Sequence, residues 1–123
     1  MPILDIEMVQ ADGTSPYAAS LTQTLADTAG RVLGSAPGRT WVRLRSLALT
    51  HYAENDALVA ADAAPVFVTV LQACPPQGEA LAAEVAALTQ VVAACLGRPP
   101  AAVHVQYAPP GAGRQAFGGT LAT

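Results

Sequence analysis

Two apolar, alternating segments, PILDIEMV from Pro2 and PVFVTVLQ from Pro65, each open on a proline and lead into a helical pattern and a second strand-like run. This doubled strand–helix–strand order limits the fold more than any other feature of the chain. In the first unit, Pro2 to Val9 sets Ile, Leu and Val against Asp5 and Glu7 with the two-residue period of a strand. Ala11-Asp12-Gly13-Thr14 breaks it. Ser15 and Pro16 then read as a helix start, a hydroxyl cap before a proline whose missing N–H costs nothing there. Tyr17, Leu21, Leu25, Thr28, Ala29, Val32 and Leu33 keep helical spacing up to Gly34, a left-handed stop. A second strand is expected from about Thr40 to Tyr52, with Trp41, Arg43 and Arg45 on one face and Val42 and Leu44 on the other.

The stretch from Ala53 to Ala64 is irregular, with a loop at Glu54-Asn55-Asp56, and then the pattern returns. Pro65 opens a third strand that Pro75-Pro76 ends. Leu81, Val85, Leu88, Val92, Cys95 and Leu96 recur every three or four residues as one apolar helix face, closed by Gly97. Arg98-Pro99-Pro100 leads into a fourth strand, VHVQYA, and the glycine-rich tail from Gly111 to Thr123 is expected to form a short hairpin or edge strand. Right-handed crossovers make the strands of each half parallel. The expected fold is α/β: a tandem β-α-β repeat giving a four-stranded mixed sheet with two helices on one face. Its halves span 1–52 and 65–109, joined by a linker at 53–64 and followed by a tail at 110–123. The uncovered face is expected to be apolar, through Leu4, Ile6, Val66 and Val68, and so to need a partner.

A chain of 123 residues has room for one domain, and its charged fraction of only 12% suits a compact body with much of its surface covered. A net charge of −3 with six basic residues argues against a nucleic-acid footprint. Neither a signal peptide, nor a basic amphipathic run, nor an apolar run near the roughly 18 residues that cross a bilayer is evident. A cytoplasmic protein without membrane attachment is therefore expected. Cys74 and Cys95 lack metal-site spacing and read as reduced thiols. His51, Glu54 and Asp56 fall on an exposed loop rather than in a metal centre, and nothing implies a cofactor.

Met1-Pro2 with its alternating strand, the duplicated β-α-β unit, the Arg98-Pro99-Pro100 turn, then VHVQYAPP and Phe117-Gly118-Gly119-Thr120-Leu121-Ala122 together resemble the tautomerase superfamily. The tail is most similar to 4-oxalocrotonate tautomerase. The length and fused halves look like macrophage migration inhibitory factor and 5-carboxymethyl-2-hydroxymuconate isomerase. The resemblance implies a homotrimer whose sheets enclose a barrel, with sites between subunits acting on a small carboxylate. It also gives Pro2 a role. Methionine is readily removed before proline, which leaves a secondary amine that burial and nearby cations push toward a general-base range.

Other residues follow from the same likeness. A parallel β-α-β unit starts its second strand beside the start of its first, so an arginine there lies near Pro2 and can hold a substrate carboxylate. Arg39, Arg43 and Arg45 are the candidates, and an arginine-x-arginine pair in the isomerase favours Arg43. The competing reading pairs these arginines with Asp5 and Glu7. His104 and Gln106, on one face of the fourth strand, match positions that family members contribute across the subunit boundary; His104 can donate from either nitrogen to a carbonyl or enol oxygen. Arg114, Gln115 and Phe117 are expected to wall the pocket.

The chain also departs from the family. The basic residue that follows the first strand of 4-oxalocrotonate tautomerase has no counterpart, and the arginine pair after the third strand of the haloacrylate dehalogenases is missing, which argues against hydration of a haloacrylate. Pro65 is internal, so its acylated nitrogen cannot be a base. The expected activity is a keto–enol tautomerase. The alternatives are a catalytically silent trimeric binding or scaffold protein, and a ferredoxin-like regulatory module in which the second and third strands would form a tight hairpin.

Overall fold

The computed structural model describes residues 1–12 and 19–123; the expected helix start at Ser15-Pro16, and Tyr17, lie outside them. The alternation of the first segment becomes strand β1 (Ile3–Gln10), followed by helix α1 (Ala19–Leu33) and strand β2 (Trp41–Ala48). The second unit repeats the order with β3 (Val66–Leu71), α2 (Gly78–Leu96) and β4 (Val103–Tyr107). The tail forms a two-stranded hairpin, β5 (Ala116–Phe117) and β6 (Thr120–Leu121), turned by Gly118 and Gly119 at φ +56° and +89°. Both helices stop as their glycines direct. Gly34 and Gly97 take φ of +66° and +65°, and the N–H groups of Ser35 and Arg98 close back on Gly30 and Ala93.

The main sheet runs β2-β1-β3-β4. Each β-α-β unit pairs its own strands in parallel, and the two units meet through antiparallel pairing of β1 with β3. Because β1 lies between β2 and β3, the hairpin that a ferredoxin-like module needs does not form. The second strand stops at Ala48, short of the expected Tyr52, because Ala48 pairs with Gln10, the last residue of β1. Beyond it a short 3-10 turn takes over at Leu49–His51.

Strand periodicity then sorts the two faces. Leu4 and Ile6 on β1, with Val66, Val68 and Val70 on β3, turn toward the helices and form the core with Leu25, Ala29, Leu88 and Val92. Each fully buried leucine, isoleucine or valine among them contributes about 1.5–3 kcal/mol relative to exposure. This corrects the expected apolar second face, since Leu4, Ile6, Val66 and Val68 are already covered. The open face instead carries cross-strand rows such as Arg43-Asp5-Thr69-Gln106 and Arg45-Glu7-Phe67-His104.

One further expectation is corrected. By length and composition the 19-residue helix α2 is long and apolar enough to cross a bilayer. Here its Leu88, Val92, Ala93 and Leu96 stripe is buried in the core, while Glu79 and small alanines face outward.

Candidate active site

Pro2 sits at the entry of β1, in the interior of the sheet's strand order, and it is buried. Its carbonyl accepts the Trp41 N–H at 3.0 Å, which fixes the start of β2 beside it. The turn before β2 is tight: Gly38 takes φ +75°, Arg39 N–H donates to the Ala36 carbonyl at 3.1 Å, and Trp41 Nε1 donates to the Gly38 carbonyl at 3.0 Å. This turn presents Arg39 next to the chain start, where Nη1 donates to the Met1 sulfur at 3.2 Å.

Two cavities meet at this point, sharing Met1 and Arg39. One, of about 300 Å³, is lined by Pro2, Ser35, Gln72 and Cys74 as well. The other, of about 590 Å³, opens between Trp41, Phe117 and Leu121. The Trp41 and Phe117 rings meet edge to face, 5.1 Å apart, so the tail hairpin forms one wall of the cleft. Met1 stands between the proline and this open cleft. While it is attached, Pro2 nitrogen is an amide without basicity; its removal frees the amine and clears the space.

The other arginines are engaged elsewhere. Arg43 grips Asp5 with two bonds, Nε to Oδ1 at 2.6 Å and Nη2 to Oδ2 at 2.8 Å, and Arg45 Nε reaches Glu7 at 3.2 Å. The Arg43 hydrogen bond holds the Asp5 carboxyl below the usual range. The register explains the arrangement, since Arg43 pairs with Asp5 and Arg45 with Glu7 while Trp41 pairs with Ile3. The residue beside Pro2 is therefore Arg39, not the favoured Arg43.

His104 and Gln106 share the open face, as their spacing required, but the antiparallel join carries His104 to the opposite end of the sheet. His104 pairs with Phe67, and Phe67 with Glu7, whereas Leu71 pairs with Ile3. Four strand residues, ~13 Å, separate those rows. Within one chain His104 instead packs against Phe67 with the rings tilted, their centres 5.6 Å apart. Arg114 and Gln115 line a third cavity, not the two that touch Pro2.

Sequence reasoning missed Trp41, Gln72 and Cys74. Trp41 carried a signal, since it shares a strand face with the arginines. Gln72 and Cys74 carried none, because only the β1–β3 register sets the end of β3 beside Pro2. Gln72 Oε1 is buried without a partner among the described residues, and its Nε2 makes a long 3.5 Å contact with Glu84. Tyr107 donates to the same carboxylate at 2.5 Å. Burial, and then that bond, raise the Tyr107 hydroxyl far above its ordinary value.

Solved structures share this fold over nearly the whole chain. A fused 4-OT determined as a symmetric trimer is 26% identical, with 98% of this chain and 94% of that one covered and a TM-score of 0.69. A fused 4-OT determined as an asymmetric trimer reaches 0.76 at 18% identity, covering 98% and 95%. The chain has the fold of the tautomerase superfamily. Macrophage migration inhibitory factor from Oncomelania hupensis aligns over 100% of this tautomerase-fold chain and 83% of its own, at 18% identity and a TM-score of 0.74. No protein-family model and no curated protein sequence matches it.

Proposed function

We propose that this tautomerase-fold chain, after loss of Met1, uses the Pro2 amine as general base on a small 2-keto or 2-hydroxydienoate carboxylic acid. The observation that carries the reading is the cavity shared by Pro2 and Arg39. Arg39 holds the substrate carboxylate through its planar donor fork. Burial and the Arg39 charge both disfavour a protonated amine, so Pro2 stays free to take a proton from carbon or from an enol hydroxyl. The same ammonium then returns the proton to another carbon of the conjugated system. Trp41 and Phe117 cover the apolar part of the substrate and limit water.

The proposal extends to a homotrimer, supported by the trimeric fused 4-OT structures and by the exposed Trp41, Phe67 and Leu121 side chains. In it, His104 and Gln106 of one copy meet the Pro2 cleft of the next, which accounts for their distance from Pro2 within a chain.

The test combines intact mass with ketonisation of a 2-hydroxydienoate. The expected result is a mass lacking methionine, a loss of about 100-fold or more in kcat for Pro2→Ala, and a raised KM for Arg39→Ala with a smaller change for Arg43→Ala. A mass that retains methionine, or full turnover in Pro2→Ala, refutes it. The rival reading, a catalytically silent trimer, draws on the Met1–Arg39 contact: with Met1 retained, Pro2 is acylated and Arg39 is occupied.

A further inference from the structure

The third cavity, of about 240 Å³, is lined by Leu71, Pro109, Pro110, Gly111, Arg114 and Gln115. Gln115 is only 8% exposed, and neither Oε1 nor Nε2 has a hydrogen-bond partner among the described residues. Its main chain is fully used: N–H donates to the Gly111 carbonyl at 2.6 Å, and its carbonyl accepts from Ala122 at 2.7 Å. Native proteins leave few buried amides unpaired, because the desolvation is then unrecovered.

The loop is shaped around this amide. A Cβ on Gly111 would collide with Gln115 Oε1 and stand 2.9 Å from Gln115 Cβ, so a larger residue at 111 would displace the side chain. The loop is also tied down, with Gly111 N–H on the Gln72 carbonyl at 2.8 Å and Ala112 N–H on the Ala73 carbonyl at 3.0 Å. A tied-down loop, an open cavity beside it and an amide with both polar atoms unspent lie together, and Gln115 is absent from the linings of both Pro2 cavities.

We propose that this cavity binds a short carboxylic acid ending in a neutral carboxamide. The Gln115 amide, closed off from solvent in the free chain, turns into the cavity on binding, where Oε1 accepts from the ligand N–H and Nε2 donates to the ligand carbonyl. Arg114, exposed at the mouth, takes the carboxylate at the other end. Only a group with donor and acceptor side by side satisfies both atoms of the Gln115 amide, which a ketone or a carboxylate does not. The site does not depend on the Pro2 amine.

Calorimetry with succinamate tests it, using levulinate as the control; its methyl ketone matches the carboxamide in size but lacks the N–H donor. Succinamate is expected to bind about tenfold more tightly. Gln115→Met should erase that preference, and succinamate should shift the Gln115 side-chain NH₂ resonance in the unsubstituted chain. Equal affinity for the two ligands, an unmoved resonance, or a preference that survives Gln115→Met overturns the proposal. A preference lost in Arg39→Ala places the ligand at Pro2 and overturns it too. Loss of self-association in Gln115→Met shows that a second copy pairs the amide, which likewise overturns the proposal.

Discussion

Asp5 and Tyr107 show how single side chains in this chain respond to pH. Asp5 has its carboxyl pulled down by Arg43, so its contribution is present above the ordinary carboxylate value near ~3.9 and is lost as pH falls through the depressed one. Both partners reach solvent, which keeps the effect small. Urea unfolding between about pH 2.5 and 6 should show Asp5→Asn less stable than the parent at the upper end, with the gap closing in acid. Tyr107 has the opposite sign. Its raised hydroxyl contributes fully below ~10 and is lost as pH climbs beyond. Tyr107→Phe should cost about 1 kcal/mol at neutral pH by removing the Glu84 bond. It should also flatten the loss of stability in alkali, read from thermal melts at stepped pH.

At the scale of elements, helix α2 and its stop are the clearest test of the packing. Leu88 is fully buried in the core cluster, so Leu88→Ala should cost about 2–5 kcal/mol, depending on how far the cavity collapses. Gly97 caps the helix at φ +65° with open space where a Cβ would go, so Gly97→Ala should lose only the backbone term, about 1–2 kcal/mol. Denaturant midpoints of the two variants separate packing from conformation. Both residues were readable beforehand, Leu88 from its helical spacing and Gly97 from its place after the last apolar residue. The ends of β2 and β3 were not, because a strand ends where its neighbour does.

For the whole molecule, the open face carries Asp5–Arg43 and Glu7–Arg45 pairs rather than a bare apolar sheet, so the proposed trimer has to be held by its edges and exposed aromatics. Sedimentation should give three copies, and the melting temperature should rise with concentration. Substitution of Trp41 by Ala should weaken both the assembly and ketonisation if the cleft lies at a subunit boundary. Periodicity, the stop glycines and the right-handed crossover determined two β-α-β units, their parallel internal pairing and the helix stops, because these depend on contacts near in sequence, and left the tail open between a hairpin and an edge strand. Periodicity also put Arg43 with Arg45, and His104 with Gln106, on shared strand faces. Only the tertiary structure decided that β1 joins β3 antiparallel, and in which register. That join buries Leu4 and Ile6 under the helices, brings Gln72 to Pro2, sends His104 to the far end, and leaves Arg39 as the arginine beside the chain start. Such a pairing links residues far apart in sequence, and its register rests on side-chain fit across the sheet rather than on any local pattern.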